Sequence, residues 1–416
     1  MALRERGGFT EGMSYTYTDV QDAMEADEVA IEFVSHLNYM DNTVCYAALV
    51  LEKKSEPIYI RLGKAEDIER LAALSPDNLY NQTAASKELY DNIWEPVMNH
   101  LGTASKIIFS PAGILNTLAI EHLYDGKKRI CESIDLIRVT STREICSRQH
   151  QHSYAEAVLY GGLEYDSDIE TMVEESRSIK GGETMPAERF RGCVATDWTY
   201  LPGTLTEVEK VSDILDHGKI SYNLYTAERG NEESFKNLSG SSFDILHIAT
   251  HGFYMSETQA ARTDYFSLGL LTDNGSAAIT SPLSRSGLML SGGNNAWSGM
   301  ELPDYIEDGI LSAAEIAGLD FNSCDIVVLS ACETGLGEIT DEGVFGLQRA
   351  FKNAGVNTIV MSLWEVDDMA TSYMMQMFYK NLIKGKAKRD AFTAAQEEVR
   401  KKYPDPRYWA AFIMLD

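Results

Sequence analysis

The hydrophobic positions of the chain alternate between two patterns along most of its length. Short apolar runs rich in β-branched and aromatic residues predict strands, and apolar residues at three- and four-residue spacing predict helices. Residues 1–28 are polar and acidic without a strong apolar period, so a linker or tail is predicted there. In the part that follows, the predicted strands are 29–37, 43–52, 57–62, 105–113 and 135–141, and the predicted helices are 65–74 and 84–101.

A second series of the same kind begins near residue 156. Between 253 and 308, Gly, Ser, Asn and Pro occur in clusters, which predicts a long irregular loop. Our hypothesis is that this loop gates or shapes a binding groove. The predicted strands of the series are 156–162, 220–227, 243–252, 325–332, 357–368 and 408–415, and the predicted helices are 204–218, 231–238, 309–319, 343–355, 369–385 and 387–403.

Strands that are joined through helices form a mainly parallel sheet with helices on both faces. The sequence therefore predicts an α/β fold with two units, residues 29–152 and residues 153–416. The two units either pack together or share one sheet.

The composition narrows the class of protein. With 416 residues, the chain is long enough for two packed units. The net charge of −27 disfavours binding to nucleic acid or an anionic membrane surface, because both would be repelled, whereas basic segments of a protein partner would be attracted. No signal peptide and no apolar stretch long enough to cross a bilayer is evident, so we expect a cytoplasmic protein without a membrane partner.

The cysteines give no sign of a metal site or a disulfide framework. No two of them form a CxxC pair, so reduced thiols are the simplest expectation, with neither metal nor cofactor. The six cysteines are Cys45, Cys131, Cys146, Cys193, Cys324 and Cys332.

Two reactive side chains stand at the ends of predicted strands. His251 follows DILHIAT and Cys332 follows DIVVLSA. If those strands are parallel neighbours, their ends lie roughly 5 Å apart, and the imidazole can take the proton of the thiol. The N–H groups of Gly252 and Cys332 would then form an oxyanion hole. The alternative is that Cys332 is a small buried residue that ends an apolar strand.

The segments DILHIATHGFY and DIVVLSACETGLGE resemble the histidine and cysteine motifs of the CHAT family, caspase-like domains of the clan CD cysteine proteases that are related to separases. The resemblance extends to SPAGILNTLAIEHL, STREI, LPGTLTEVEKV, SPLSRSGLMLSGG, EDGILSAAEIAGLDF, GVFGLQRAFKNAGVNTIVMSLWEVDD and YWAAFIML, in the order of the family pattern. It covers most of the chain from about residue 29.

The resemblance implies a caspase-like parallel-sheet sandwich in which a pseudo-caspase unit precedes an active caspase-like unit. It assigns His251 as general base and acid, Cys332 as nucleophile, and Gly252 and Cys332 as oxyanion donors. The first unit agrees with a structural role, since residues 29–152 show no Cys and His at equivalent strand ends. CHAT domains often accompany tetratricopeptide repeats, but no period of about 34 residues appears in this chain.

The segment SLWEVDD follows a predicted strand and offers candidates for a specificity pocket. In caspase-like folds the matching segment lines the substrate groove. Trp364 would form a wall of the pocket, and Glu365, Asp367 and Asp368 would accept a basic P1 residue, with Asp367 as first choice. The other interpretation is that Asp367 and Asp368 cap the helix that begins near Met369. Both interpretations stay open on the sequence.

The leading hypothesis is a regulated cysteine endopeptidase that cleaves a protein substrate. Its partners would be that substrate and a protein activator or tetratricopeptide-repeat partner, and family analogy suggests an effector of bacterial immunity or stress. The alternative is a catalytically silent CHAT scaffold that binds protein partners. A nucleotide-binding module is disfavoured because no GxGxxG or GxxxxGK[ST] element follows a strand.

Overall fold

The strands and helices are seen in a computed structural model that describes residues 15–38, 43–81, 83–102, 104–148, 153–180, 197–255, 282–330, 338–340 and 343–416. The described residues form two compact units. The first is drawn from residues 1–152, 339–344 and 402–416, and the second from 153–338 and 345–401. None of the described helices is long and apolar enough to cross a membrane.

In the described part of the first unit, six strands pair in the order β3-β2-β1-β4-β5-β16. The strands are β1 (Glu28–Asn38), β2 (Thr43–Glu52), β3 (Ile58–Lys64), β4 (Lys106–Ser110), β5 (Asp135–Arg138) and β16 (Phe412–Leu415). β1, β2 and β3 are antiparallel, as short connections between consecutive strands allow, whereas β4, β5 and β16 extend the sheet in parallel.

Among the described residues of this unit there are five α-helices: α1 (Tyr17–Ala23), α2 (Ala65–Ala72), α3 (Pro76–Tyr80), α4 (Ala84–Ile93) and α5 (Glu95–Met98). α1 lies inside the region that the sequence predicted to be a linker or tail, so the structure differs there. A capping box between Thr16 and Asp19 fixes its start. Val20 and Met24 then pack into a buried cluster with Ile108 and neighbouring residues, which makes the helix part of the core.

The last strand also differs from the prediction, which placed it in the unit 153–416. Leu415 of β16 pairs with Arg138 of β5 in the first unit. A ring centroid of Trp409, just before this strand, lies 5.1 Å from the ring centroid of His122. The Cζ atom of Arg129 lies 5.1 Å from a ring centroid of Trp409. Sequence periodicity cannot show which sheet a final strand joins, because that choice depends on contacts with residues far away in the chain.

The second unit contains a parallel sheet of five strands in the order β15-β12-β8-β6-β7. Its strands are β6 (Glu156–Leu163), β7 (Ser221–Ala227), β8 (Ile245–Ile248), β12 (Ile326–Leu329) and β15 (Thr358–Ser362). A small antiparallel sheet contains β9 (Gly252–Tyr254), β10 (Ser286–Met289) and β11 (Ile310–Ser312), with β10 in the middle. Two short strands, β13 (Glu338–Thr340) and β14 (Gly343–Phe345), pair with each other in a separate two-stranded sheet, and most of their residues, within 339–344, belong to the first unit.

The α-helices of the second unit are α6 (Ile169–Lys180), α7 (Pro202–Gly218), α8 (Glu232–Lys236), α9 (Gly293–Trp297), α10 (Ala313–Ala317), α11 (Leu347–Asn353), α12 (Asp368–Leu382) and α13 (Lys388–Lys402). Helices therefore follow the strands in the alternation that the hydrophobic pattern predicts. The predicted α/β class with a mainly parallel sheet is confirmed.

The prediction of an irregular loop over residues 253–308 is wrong for residues 282–308. Residues 282–308 contain β10 and α9, and Arg285, Leu288 and Asn294 are buried there. The glycines that suggested a loop serve close packing instead, since a Cβ on Gly287 would lie 2.4 Å from the carbonyl oxygen of Leu311. Residues 256–281 of the predicted loop lie outside the described residues.

A buried polar group ties β8 to two helices of this unit. His247 is fully buried, and its Nε2 lies 2.9 Å from Oε1 of Glu207 in α7. Its Nδ1 lies 3.2 Å from the hydroxyl of Tyr379 in α12. His247 is therefore the packed core histidine that its position in an apolar strand predicts.

Candidate active site

The strands that lead to the two candidate catalytic residues are neighbours. β8 and β12 pair in parallel from Ile245 and Ile326 to Ile248 and Leu329, and the N–H of Ser330 donates to the carbonyl oxygen of Ile248 over 2.9 Å. In the sequence, His251 follows Ile248 by three positions and Cys332 follows Leu329 by three positions. Cys332 itself lies outside the described residues, so its contact with His251 stays a prediction.

His251 is held by a main-chain oxygen. Its Nε2 lies 2.8 Å from the carbonyl oxygen of Thr199, and the ring is half-buried. A carbonyl oxygen only accepts hydrogen bonds, so Nε2 carries the hydrogen and Nδ1 of the neutral ring has the free lone pair. The geometry therefore leaves Nδ1 as the nitrogen that can accept a proton.

Two aromatic rings enclose the imidazole. The Tyr165 ring centroid lies 5.2 Å from that of His251, and the Trp198 centroid lies 4.9 Å away. Burial lowers the pKa of His251 below its ordinary value, and the hydrogen bond to Thr199 opposes this effect only in part. The ring therefore favours its neutral, proton-accepting form.

The backbone around His251 is fixed by hydrogen bonds to β10. The N–H of Met289 donates to the carbonyl oxygen of His251 over 2.9 Å. The hydroxyl of Thr250 donates to the carbonyl oxygen of Met289, and the hydroxyl of Tyr165 donates to the Thr250 oxygen over 2.8 Å. Burial raises the pKa of Tyr165 to about 12, so its phenol stays protonated and remains a donor.

The N–H of Gly252 faces the open side of β9. Bonds from Met289 N to His251 O and from Met255 N to Arg285 O place residues 251 and 255 in hydrogen-bonded pairs with β10. Such pairs alternate along an antiparallel ladder, so Gly252, opposite Leu288, belongs to a pair without mutual hydrogen bonds. Its N–H therefore points away from β10, and β9 is an edge strand of its sheet.

The four candidate pocket residues follow β15. Trp364 is partly buried, whereas Glu365, Asp367 and Asp368 are exposed. Oδ1 of Asp367 accepts hydrogen bonds from the N–H groups of Met369 and Ala370, at 3.0 and 3.1 Å. The structure therefore shows Asp367 as the N-cap of α12, in agreement with the capping interpretation.

Asp368 has a different environment. Its Oδ2 approaches the start of α7, where a Cβ on Gly203 would lie 2.7 Å from it. Partial burial raises the pKa of Asp368, and the neighbouring carboxylates of Asp367, Glu207 and Glu365 raise it further. These causes are all unfavourable to a negative charge, so a cation placed beside Asp368 would be stabilised.

Three glutamates of the second unit lie close enough to hold a cation: Glu232, Glu307 and Glu315. The ammonium of Lys236 already lies among them, 2.7 Å from Glu232, 3.1 Å from Glu307 and 2.8 Å from Glu315. One positive charge of the chain itself therefore offsets part of the negative charge of the cluster.

The first unit contains a Cys–His contact that the sequence did not predict. Sγ of the exposed Cys131 lies 3.4 Å from Nδ1 of the buried His122. The two residues lie on single turns of 3₁₀-helix, Ile120–His122 and Ile130–Glu132, away from the strand ends. Cys131 is therefore a natural control for any experiment on Cys332.

The family model of the CHAT domain matches residues 83–416, so the chain belongs to the CHAT domain family. The resemblance found in the sequence motifs is confirmed. Two curated relatives are named tetratricopeptide repeat protein 28. The Homo sapiens protein is 30% identical over 112 residues, and the Mus musculus protein is 31% identical over 108 residues. Each match covers 26% of this chain and 4% of the relative, so the chain spans a small part of their length.

Among solved structures, the chain is similar to the separase–securin complex of Saccharomyces cerevisiae and to the Arg-specific cysteine proteinase gingipain R. The first match has 9% identity and a TM-score of 0.48, over 98% of this chain and 31% of the other. The second has 8% identity and a TM-score of 0.40, over 84% of this chain and 74% of the other.

Proposed function

We propose that this protein is a cysteine endopeptidase that uses His251 and Cys332 as a catalytic dyad. The observation that carries the proposal is the hydrogen bond from Nε2 of His251 to the carbonyl oxygen of Thr199. It leaves Nδ1 as the basic nitrogen, beside the strand end that leads to Cys332. Membership of the CHAT family, whose motifs contain both residues, supports the assignment.

In the proposed reaction, Nδ1 of His251 takes the proton of the Cys332 thiol, and the thiolate attacks the carbonyl carbon of the scissile peptide. The oxyanion accepts hydrogen bonds from the N–H groups of Gly252 and Cys332. The imidazolium then gives its proton to the leaving amine, and the C–N bond breaks to leave a thioester. Water, deprotonated by His251, attacks the thioester and releases the acid and the thiol.

The neutral imidazole and the free donor support this sequence of steps. A pKa below the ordinary histidine value keeps His251 able to accept a proton at neutral pH. The N–H of Gly252 points away from β10, which leaves it available to a ligand at the edge of β9.

The proposed substrate has a basic residue at P1, and Asp368 is the proposed partner of that residue. Asp367 uses Oδ1 to cap α12, so its first-choice role in the pocket passes to Asp368. A guanidinium or ammonium beside Asp368 would relieve the unfavourable effects of Asp367, Glu207 and Glu365 on its carboxylate. Glu365 would contribute to the same pocket, and Trp364 would form its wall.

The proposal also covers organisation and control. The first unit would be the structural pseudo-caspase unit and the second the catalytic one. A protein activator, for which a tetratricopeptide-repeat segment is the first candidate, would switch the site on; the names of the two curated relatives support this choice. A role as a bacterial immune or stress effector in the cytoplasm stays a prediction from the family resemblance.

The test is cleavage of a proteome-derived peptide library by the protein, with and without candidate repeat proteins, read by mass spectrometry of new amino termini. Cleavage should follow Arg or Lys, and should disappear in Cys332→Ala and His251→Gln. Cys131→Ala is the matched control, because it removes a thiol that contacts a histidine, His122, outside the proposed dyad.

Loss of cleavage in Cys131→Ala with full activity in Cys332→Ala would overturn the dyad. Equal effects of the wild-type protein and Cys332→Ala on a bound partner, without cleavage, would favour the silent scaffold. Cleavage without preference for basic P1 residues would remove the role of Asp368 alone.

A further inference from the structure

We propose that Asn294 is a positioning residue for His251, because its side-chain amide fixes the segment that carries the Thr199 carbonyl. The catalytic meaning of this role rests on the proposed function, whereas the structural role does not. The segment in question is residues 197–200, which we call the strap.

The strap has no regular secondary structure, and most of its residues are exposed. An exposed irregular segment is ordinarily among the least fixed parts of a protein. The Thr199 carbonyl nevertheless has to stay within hydrogen-bonding distance of His251. Some other group must therefore define the position of the strap.

Asn294 binds both main-chain groups of the residue before Thr199. Its Oδ1 accepts a hydrogen bond from the N–H of Trp198 over 2.9 Å, and its Nδ2 donates to the carbonyl oxygen of Trp198 over 2.9 Å. The amide thus pairs with Trp198 as a strand partner would. With both groups of Trp198 engaged, little freedom is left for the next carbonyl, which is that of Thr199.

The same side chain connects the strap to the end of β6. Nδ2 of Asn294 also donates to Oδ1 of Asp166 over 2.7 Å, and the Asn294 N–H donates to the carbonyl oxygen of Tyr165 over 3.1 Å. Tyr165 and Trp198 are the two residues whose rings enclose His251. The side-chain amide of Asn294 therefore holds Trp198 and the segment that carries the orienting carbonyl, and the main-chain N–H of the same residue holds Tyr165.

The chemistry of these contacts requires asparagine. Nδ2 meets two acceptors and Oδ1 meets one donor, so only an amide satisfies all three. An aspartate would place a second carboxylate against Asp166 and would lose both donated bonds. Asn294 is 4% exposed, so water does not readily replace those bonds.

Asn295 provides a matched control on the same helix. Its Nδ2 donates to the carbonyl oxygen of Ser167 over 2.7 Å. It is thus a neighbouring asparagine with a comparable main-chain bond, but that bond leads away from the strap. The variant Asn295→Ala therefore shows how the loss of a side-chain amide from α9 affects the protein when the strap keeps its hydrogen bonds.

The experiment is ¹⁵N NMR of the histidine side chains in the full chain, in a Cys332→Ala background that cannot cleave itself. His251→Gln assigns the signal. We expect His251 to be a single Nε2–H tautomer in the background protein and in Asn295→Ala. In Asn294→Ala we expect a mixture of tautomers, because the Thr199 carbonyl is no longer fixed. An unchanged Nε2–H tautomer in folded Asn294→Ala would overturn the proposal.

If Asn294→Ala does not fold, Asn294→Asp provides the same comparison, since it keeps an acceptor for the Trp198 N–H. A mixture of tautomers in that variant supports the proposal, and a single Nε2–H tautomer contradicts it. With an active enzyme, Asn294→Ala should lower kcat by about tenfold or more with little change in KM, since small misplacement of a catalytic group has effects of this size. If the wild-type chain cleaves nothing, the proposed function fails and the tautomer still decides the role of Asn294.

Discussion

The carbonyl oxygen of Thr199 accepts a hydrogen bond from Nε2 of His251 over 2.8 Å, although the two residues lie 52 positions apart. The contact selects the tautomer that carries its hydrogen on Nε2. Nδ1 therefore has a free lone pair and can accept a proton. Because the acceptor belongs to the main chain, no side-chain substitution at residue 199 removes it. The ring is therefore best tested through its own titration and through the groups around it.

His251 should titrate below the ordinary histidine pKa of about 6.5 in Cys332→Ala, where no thiolate perturbs it. The physical reason is burial, which penalises the imidazolium more than the Thr199 bond favours it. NMR titration of the assigned signal measures the midpoint. Because the folded state binds the proton more weakly than the unfolded state, this group costs stability as the pH falls through about 6.5 and below. A midpoint at or above 6.5 would contradict the burial argument.

Asp367→Ala and Asp368→Asn should have opposite effects on stability. Asp367→Ala removes the two hydrogen bonds that cap α12 and should lower the free energy of unfolding by about 1 kcal/mol. Asp368→Asn removes a carboxylate whose environment raises its pKa and so disfavours its charge. At neutral pH the substitution should leave the free energy of unfolding unchanged or raise it slightly. Urea unfolding measures both variants. If the pocket assignment holds, Asp368→Asn alone should weaken cleavage after basic residues; a loss of that preference only in Asp367→Ala would reverse the assignment.

Lys236→Met should destabilise the second unit by about 3 kcal/mol, the order expected when one partner of a buried ion pair is removed. Its ammonium contacts Glu232, Glu307 and Glu315, and the three carboxylates would be left facing each other. Burial and the neighbouring carboxylates already raise the pKa of Glu232, so the variant should regain stability as the pH is lowered and Glu232 is protonated. Chemical denaturation at two pH values measures the effect. Lys210→Met, at an exposed lysine of α7, is the control and should change little.

His247→Phe should destabilise the protein by about 2 kcal/mol. The substitution leaves the buried carboxylate of Glu207 and the buried hydroxyl of Tyr379 without the imidazole that each contacts. His217 is an exposed histidine of the same unit, so the midpoint of urea unfolding of His217→Phe should stay close to that of the wild-type protein. Equal midpoints for the two variants would show that the buried contacts of His247 add nothing to stability.

The strands around the site follow from the sequence to a large extent, whereas their pairing does not. Apolar runs locate β8 and β12, and the rule that ligands bind at strand ends directs attention to His251. The sequence alone left open whether β8 and β12 are neighbours, because register is a tertiary property; the structure pairs Ile248 with Leu329. The clusters of Gly, Ser, Asn and Pro around Gly287 predict a loop where the structure has a strand, because glycine occurs both in flexible turns and at sites of close packing.

The groups that hold the histidine were not predictable from composition or periodicity. A main-chain carbonyl, such as that of Thr199, has no sequence signature. Asn294 stands in GGNN, just after the motif SPLSRSGLMLSGG, and two adjacent asparagines beside an apolar strand were the only available signal. Similarly, Thr16 and Asp19 form a capping box whose T-x-x-D pattern was present in the region taken for a linker.

The pairing of β16 with β5 has a consequence for synthesis of the chain. Leu415 pairs with Arg138 of β5, and residues 153–338 and 345–401 of the second unit are made between these two strands. At about 5–20 residues per second, a ribosome takes on the order of ten seconds to a minute to cover that interval. During that time the edge of β5 that later pairs with β16 lacks this partner, and an exposed edge of this kind can pair with another chain. The unit that carries His251 can therefore emerge from the ribosome while the first unit still waits for its last strand.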